Sequence, residues 1–421
     1  MGKPFLLRAR AVVPMSSDPI DDGAVIIFNG GVAAAGPYKD LAHAIPKEDR
    51  RDLGDVILMP GLVNAHCHLD YTALAGLILP TRDFPGWVKT ISSFKAGWDF
   101  SEYASSWISG AKMLLRNGTT LVADIESVPE LIPYVWDSTP LRIFSFLEMT
   151  GVRSRRPPSD ILSDALDLKQ SVEESPTKRI FLSPHALYST TPELMKLVGQ
   201  YISSSRERIT THVSESIMEF EMYMYKRGTL FDWLKSQREM GDCGIGSPVQ
   251  EMNRNGLLRE EMLAVHCNYL WQGDAELLAQ TGTSVVHCPA SHQFFRHKAF
   301  PRNELLRAGV NVCLGTDSLA SSLVNRNGKT ELSLFREMQI LASNDSTISP
   351  AEMLRMCTIN GAKALGQQGR LGEIRHNSQA DIIGIPFRDS GVGVYEAIVT
   401  HEGPVCFSMI SGKDYSSMLT A

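Results

Sequence analysis

The chain has 421 residues, 41 basic and 47 acidic, for a formal charge of −6, with 43% hydrophobic and 21% charged residues. This composition excludes a mainly disordered chain, and the length exceeds one ordinary domain unless an α/β barrel absorbs much of it. The mild acidity argues against nucleic acid or an anionic membrane as a partner, because either selects a clustered basic face. No apolar run is long enough to span a bilayer and the N-terminus lacks the apolar stretch of a secretory signal, so the expected location is the cytoplasm. The seven cysteines are scattered and never spaced as CxxC, which predicts buried thiols in place of disulfides or a thiolate metal site.

In chain order, residues 1–58 are short apolar runs such as Ala11–Val13 and Val25–Phe28, separated by turn residues such as Asp22-Gly23 and Asn29-Gly30-Gly31. That texture predicts a β meander. It returns in residues 370–421, with Ala380–Ile385 and Val405–Phe407 as apolar runs, so the two ends are expected to form one discontinuous β domain, a small β-sandwich. Between them, in residues 59–369, eight apolar strand candidates occur at 62–66, 120–124, 142–146, 179–183, 208–212, 262–266, 284–287 and 310–314. Helical stretches such as Trp107–Asn117, stopped by Gly118, and Pro192–Ser203 alternate with them. Eight strand-then-helix units predict a closed (β/α)8 TIM barrel, an α/β fold.

The polar residues at the C-terminal ends of these strands carry the chemistry. All such ends share one face of a barrel, so His66, His68, His212, His266 and Asp317 can meet in space although far apart in sequence. His66 and His68 are two residues apart and point to the same side of an extended strand, where both can bind one cation. Nitrogen and oxygen donors of this kind suit one divalent metal, zinc ahead of iron, with a position left for water.

With these residues the chain resembles the amidohydrolase superfamily, through Pro60–His68, His212-Val213-Ser214-Glu215, His266, Leu314–Ser318, and Gly372-Glu373-Ile374 with Ala380-Asp381-Ile382 in the returning β segment. The resemblance implies a metal held by His66, His68, His212 and Asp317, with His266 polarising the attacked centre or holding the water. Binuclear members carry a carboxylated lysine after the fourth strand, whereas Ser183-Pro184-His185 here has none. The His212/Glu215 spacing is similar to the mononuclear deaminase and chlorohydrolase branch, which implies catalytic roles for Glu215, His266 and Asp317. Glu215 is then expected to carry a proton between water and ring. Ser183–Ser189 is similar to the segment with which that branch contacts substrate, so His185 is expected there along with Glu215 and, after Asp317, Ser321. Glu148 is a weaker candidate for leaning toward the ligand, and His287 is expected to pack beneath the site.

The implied function is hydrolytic deamination of an aminated purine or related N-heterocycle, a small molecule, with release of ammonia. Ser291–Phe295 and Leu314–Ser321 look closest to aminofutalosine-deaminase-like proteins, which act on an adenine nucleoside bearing a benzoate. Arg153, Arg155 and Arg156, and the loop His292–His297, would suit such an anionic aromatic tail. Related methylthioadenosine and S-adenosylhomocysteine deaminases hold the ribose with a glutamate after the first histidine pair, yet Lys89–Gly97 contains no acidic residue. The alternative is a chlorohydrolase or amidase-like hydrolase on the same scaffold, because fold and metal do not set the leaving group. A homodimer is compatible with the sequence, which does not specify the oligomeric state.

Overall fold

The computed structural model describes residues 2–152, 154, 156–324, 328, 330–387 and 391–419. Five strands open the chain: β1 (Phe5–Val12), β2 (Ile20–Phe28), β3 (Gly31–Pro37), β4 (Arg50–Asp52) and β5 (Val56–Pro60). Eight parallel strands follow, β6 (Leu62–Cys67), β7 (Thr119–Glu126), β8 (Arg142–Met149), β9 (Lys178–Pro184), β10 (Ile209–Val213), β11 (Met262–His266), β12 (Ser284–His287) and β13 (Val312–Leu314). The chain returns through β14 (Ile382–Pro386), β15 (Phe407–Ile410) and β16 (Lys413–Asp414).

Strands β6 to β13 pair in sequence order and form the barrel. Their near-continuous apolar character has a physical cause, since each strand is covered on both faces. Alternate residues such as Leu121, Ala123, Phe144, Phe146, Val265 and Val286 fill the barrel interior. Their neighbours Val122, Ile143, Leu147, Ala264 and Val285 join the layer that packs under the helices. Among those helices, α1 (Phe84–Lys95) and α2 (Phe100–Arg116) follow β6. The sequence pattern places the start of α2 at Trp107, but a capping box between Asp99 and Glu102 begins the helix at Phe100. No helix among the described residues is long and apolar enough to cross a membrane.

The end strands, expected as a sandwich, are hydrogen-bonded into one mixed sheet, because β1 pairs with β2 along one edge and with β4 and β5 along the other. Gly61 alone separates β5 from β6, and a Cβ there would sit 2.1 Å from Thr120 Oγ1, so only glycine lets the two sheets join at this point. A buried ion pair ties the returning segment to the barrel. Arg142 at the start of β8 donates to Asp381 through Nε at 2.7 Å and Nη2 at 3.0 Å, and to Ser411 Oγ at 2.6 Å. Both charged side chains are 3% exposed. Asp381→Ala, which strands the arginine charge in the interior, should destabilise the protein by about 3–5 kcal/mol. Denaturant unfolding would read this, and a loss below about 1 kcal/mol would assign the pair to the nearly neutral class.

Candidate active site

The loops at the C-terminal ends of the barrel strands enclose a cavity of about 300 Å³, lined in part by His68, His185, His212, Glu215 and Asp317. His66 and His68 come from the end of β6, His212 from β10, His266 from β11, and Asp317 follows β13. All are buried. One donor atom from each of His66, His68 and Asp317 lies within 4.8 Å of the others, and the same holds for His66, His212 and His266 and for Glu215, His266 and Asp317. His66 Nε2 and His68 Nε2 each stand 3.8 Å from Asp317 Oδ1, and His68 Nε2 is 3.3 Å from His212 Nε2.

The donor set fits a divalent metal. Both ring nitrogens of His66 and Nε2 of His266 are buried without a hydrogen-bond partner in the protein, an arrangement a folded chain rarely tolerates unless another group satisfies it. Burial, reinforced by the neighbouring imidazoles, holds His66, His68 and His266 well below the ordinary histidine range and His212 at about 4. Neutral imidazole is the form that ligates. His212 Nδ1 donates to the His185 carbonyl at 2.7 Å, which turns Nε2 toward the cluster.

Backbone geometry delivers these groups. His66 O accepts from Thr316 N at 3.0 Å and Asp317 N at 3.1 Å, which brings the end of β13 against β6. A Cβ on Gly315 would lie 2.8 Å from His66 O, so the glycine of Gly315-Thr316-Asp317 permits this approach. Asn64 reinforces it by exchanging hydrogen bonds with Thr316, from Nδ2 to Oγ1 at 2.8 Å and from Thr316 N to Oδ1 at 3.1 Å. Ser214, His266, Cys267 and Asp317 all have positive φ, at 51°, 75°, 49° and 51°. Left-handed backbone at four non-glycine residues is costly and concentrates here at the strand ends.

Glu215 is buried, with Oε1 3.7 Å from His266 Nε2. Burial, then the Asp317 and Glu219 charges, push its carboxyl well above the usual range. Glu219 is absent from the sequence-derived set. Its carboxylate accepts from Ser214 N at 3.0 Å and Glu215 N at 2.8 Å, and Ser216 Oγ caps the helix α3 (Ile217–Tyr225) by accepting from Glu219 N. The Ser216-x-x-Glu219 spacing is the local signal that could have found it.

His185 lines the cavity, and its Nδ1 is 2.6 Å from Ser189 Oγ. Ser321, expected to contact substrate, is buried, with Oγ donating to Asp317 Oδ2 at 3.2 Å; Ser318, at the start of that turn, lines the cavity. The short 3₁₀ turn Leu319–Ser321 folds Ser321 back onto the carboxylate. His287 stacks on Phe300 with ring centroids 3.8 Å apart. Glu148 lines the cavity. Arg156 pairs with Asp164 at the surface and is not part of the cavity wall; Arg153 and Arg155 lie outside the described residues. Phe295, Arg296 and His297 line a second cavity of about 370 Å³. Trp87, Val88 and Lys95 of α1, with Trp233, complete much of the first wall, although neither motif nor spacing marks them.

Comparison with known proteins agrees with this architecture. A 5-methylthioadenosine/S-adenosylhomocysteine deaminase from Syntrophobacter fumaroxidans is 32% identical over 387 residues, covering 87% of this chain and 81% of the relative. The crystal structure of an adenosine deaminase from Xanthomonas campestris with bound zinc superposes with a TM-score of 0.83 at 26% identity, over 97% of this chain and 92% of that one. The aminofutalosine deaminase of Helicobacter pylori in complex with methylthio-coformycin shares the fold, with a TM-score of 0.84 at 21% identity over 97% and 99% of the two chains. The profile of the amidohydrolase family matches residues 57–405, from the last strand before the barrel into the returning β segment, and on that extent the chain belongs to the amidohydrolase family.

Proposed function

We propose that this enzyme is a zinc-dependent hydrolytic deaminase that removes the amino group of an adenine nucleoside as ammonia. The observation that carries the proposal is the buried Glu215 carboxyl, 3.7 Å from His266 Nε2 in the cavity that also holds His68, His212 and Asp317. Burial and the neighbouring Asp317 and Glu219 charges raise this carboxyl above the ordinary glutamate range, the direction that a proton carrier requires. The names of the Syntrophobacter relative and of the zinc-bearing Xanthomonas protein support an adenine nucleoside and zinc. In this scheme His66, His68, His212 and Asp317 hold the metal, which supplies the Lewis acidity that makes water nucleophilic at neutral pH.

The protein's own groups then manage position and protons. Glu215 takes a proton from the attacking water and gives it to the ring nitrogen; it then takes the remaining proton of the added hydroxyl as the ring carbonyl forms and delivers it to the amine, which leaves as ammonia. His266 and Asp317 orient the water, and His185 hydrogen-bonds the heterocycle from the cavity wall.

Metal-loaded protein should release ammonia from adenosine or methylthioadenosine in preference to guanine and cytosine. Chloride release from a chlorotriazine, with no ammonia from any adenine nucleoside, would overturn the proposal. His185→Ala should raise KM or lower kcat while metal per chain, measured by elemental analysis, stays unchanged; metal loss would make His185 a ligand.

A further inference from the structure

Resting on the adenine-nucleoside reading above, we propose that Glu148 and Lys95 form the subsite for the sugar, with Glu148 accepting a hydrogen bond from a substrate hydroxyl and Lys95 donating to a neighbouring oxygen. Both residues line the cavity that contains His212 and Glu215. Glu148 stands near the end of β8, whose Met149 carbonyl accepts from His185 N at 3.0 Å, so it belongs to the same wall as the residue proposed to hold the heterocycle. Its Oε2 is buried and has no hydrogen-bond partner in the protein. A carboxylate at a cavity wall with one oxygen buried and unpaired is costly until a ligand brings a donor to it.

Lys95 ends α1 and is already held in place. Its Nζ donates to Tyr71 Oη at 2.9 Å and Ser127 Oγ at 2.8 Å and lies 3.7 Å from the buried Asp70 carboxylate. The lysine charge is therefore balanced by Asp70. The wall offers a carboxylate acceptor at one point and an ammonium at another. Hydroxyl groups both donate and accept, so the hydroxyls of a sugar suit both points. A carboxylate at the same place would face Glu148, and an apolar group would leave the Glu148 carboxylate unpaired. Apolar Trp87, Val88 and Ile91 of α1 supply the surface for the rest of the ligand. The substrate class is accordingly a purine nucleoside with free sugar hydroxyls and no negative charge at the sugar.

The test compares adenosine with 2′,3′-dideoxyadenosine in turnover by the metal-loaded enzyme, and inosine with 2′,3′-dideoxyinosine in calorimetric binding. The wild type should favour the hydroxylated member by about 10- to 100-fold, the range for a hydrogen bond to a charged group. Glu148→Ala should bring the two within about threefold, with the size-conserving Glu148→Gln between them and metal content unchanged in both variants. A wild type indifferent to the hydroxyls, or a Glu148→Ala protein that keeps the full preference, overturns the proposal. Glu148-dependent preference for inosine without ammonia release from adenosine upholds the subsite and refutes the deaminase reading alone.

Discussion

Glu215→Gln should lower the rate of ammonia release by about 10²- to 10⁴-fold, with greater loss if the same group serves several proton transfers. Metal per chain and inosine affinity should stay near wild type. Ammonia leaves a ring carbon only when it departs protonated, and the ring nitrogen gains a proton as water attacks, so one group has to exchange protons with water, ring and amine. Glutamine keeps the volume of the side chain and loses the exchange. The surrounding backbone should hold, because Glu219 anchors the amides of Ser214 and Glu215 and Asn268 Nδ2 donates to the Glu215 carbonyl at 2.9 Å. Steady-state kinetics alongside elemental analysis separates the cases. A variant that kept more than about a tenth of the activity would remove Glu215 from the role of proton carrier.

The second large effect is expected at His66. The wild type should carry one divalent ion per chain after dialysis, and His66→Ala should retain only traces. Loss of a partner that merely orients a ligand weakens metal binding by about 10- to 100-fold, so loss of the ligand itself should exceed that. Ammonia release should fall in parallel and recover in part with excess zinc. The imidazole is fully buried and neither ring nitrogen has a protein partner, so the variant loses no hydrogen bond within the protein. A variant with full metal content, or a wild type with two ions per chain, would contradict the single-metal assignment.

Much of the site was legible in one dimension because its determinants are local. The two-residue spacing of His66 and His68 places both on one side of an extended strand, and the short distance from His212 to Glu215 puts an imidazole and a carboxyl at the same strand end. Gly315 before Thr316 and Asp317 signals a close backbone approach, which the structure makes against His66. The eight barrel strands were readable for a related reason. Strands covered on both faces are apolar throughout, and that character survives in a short window of sequence.

What required the tertiary structure is everything set by how loops fold over the barrel mouth. Ser321 and Ser318 are three residues apart and chemically identical, yet one turn sets the first against Asp317 while the second lines the cavity. Arg156, expected to suit an anionic tail, pairs with Asp164 of the following helix at the surface, a partner the local sequence does not name. Lys95 and Glu148 are 53 positions apart and enter one wall only because α1 crosses the mouth beside the end of β8. The end strands likewise became one mixed sheet through pairing of β1 with β5 and of β5 with β14, contacts between distant segments. The eight barrel strands and the shared side of His66 and His68 were set by the sequence locally, because periodicity and spacing act within a few residues. The make-up of the cavity wall was decided by packing between segments with no local relation.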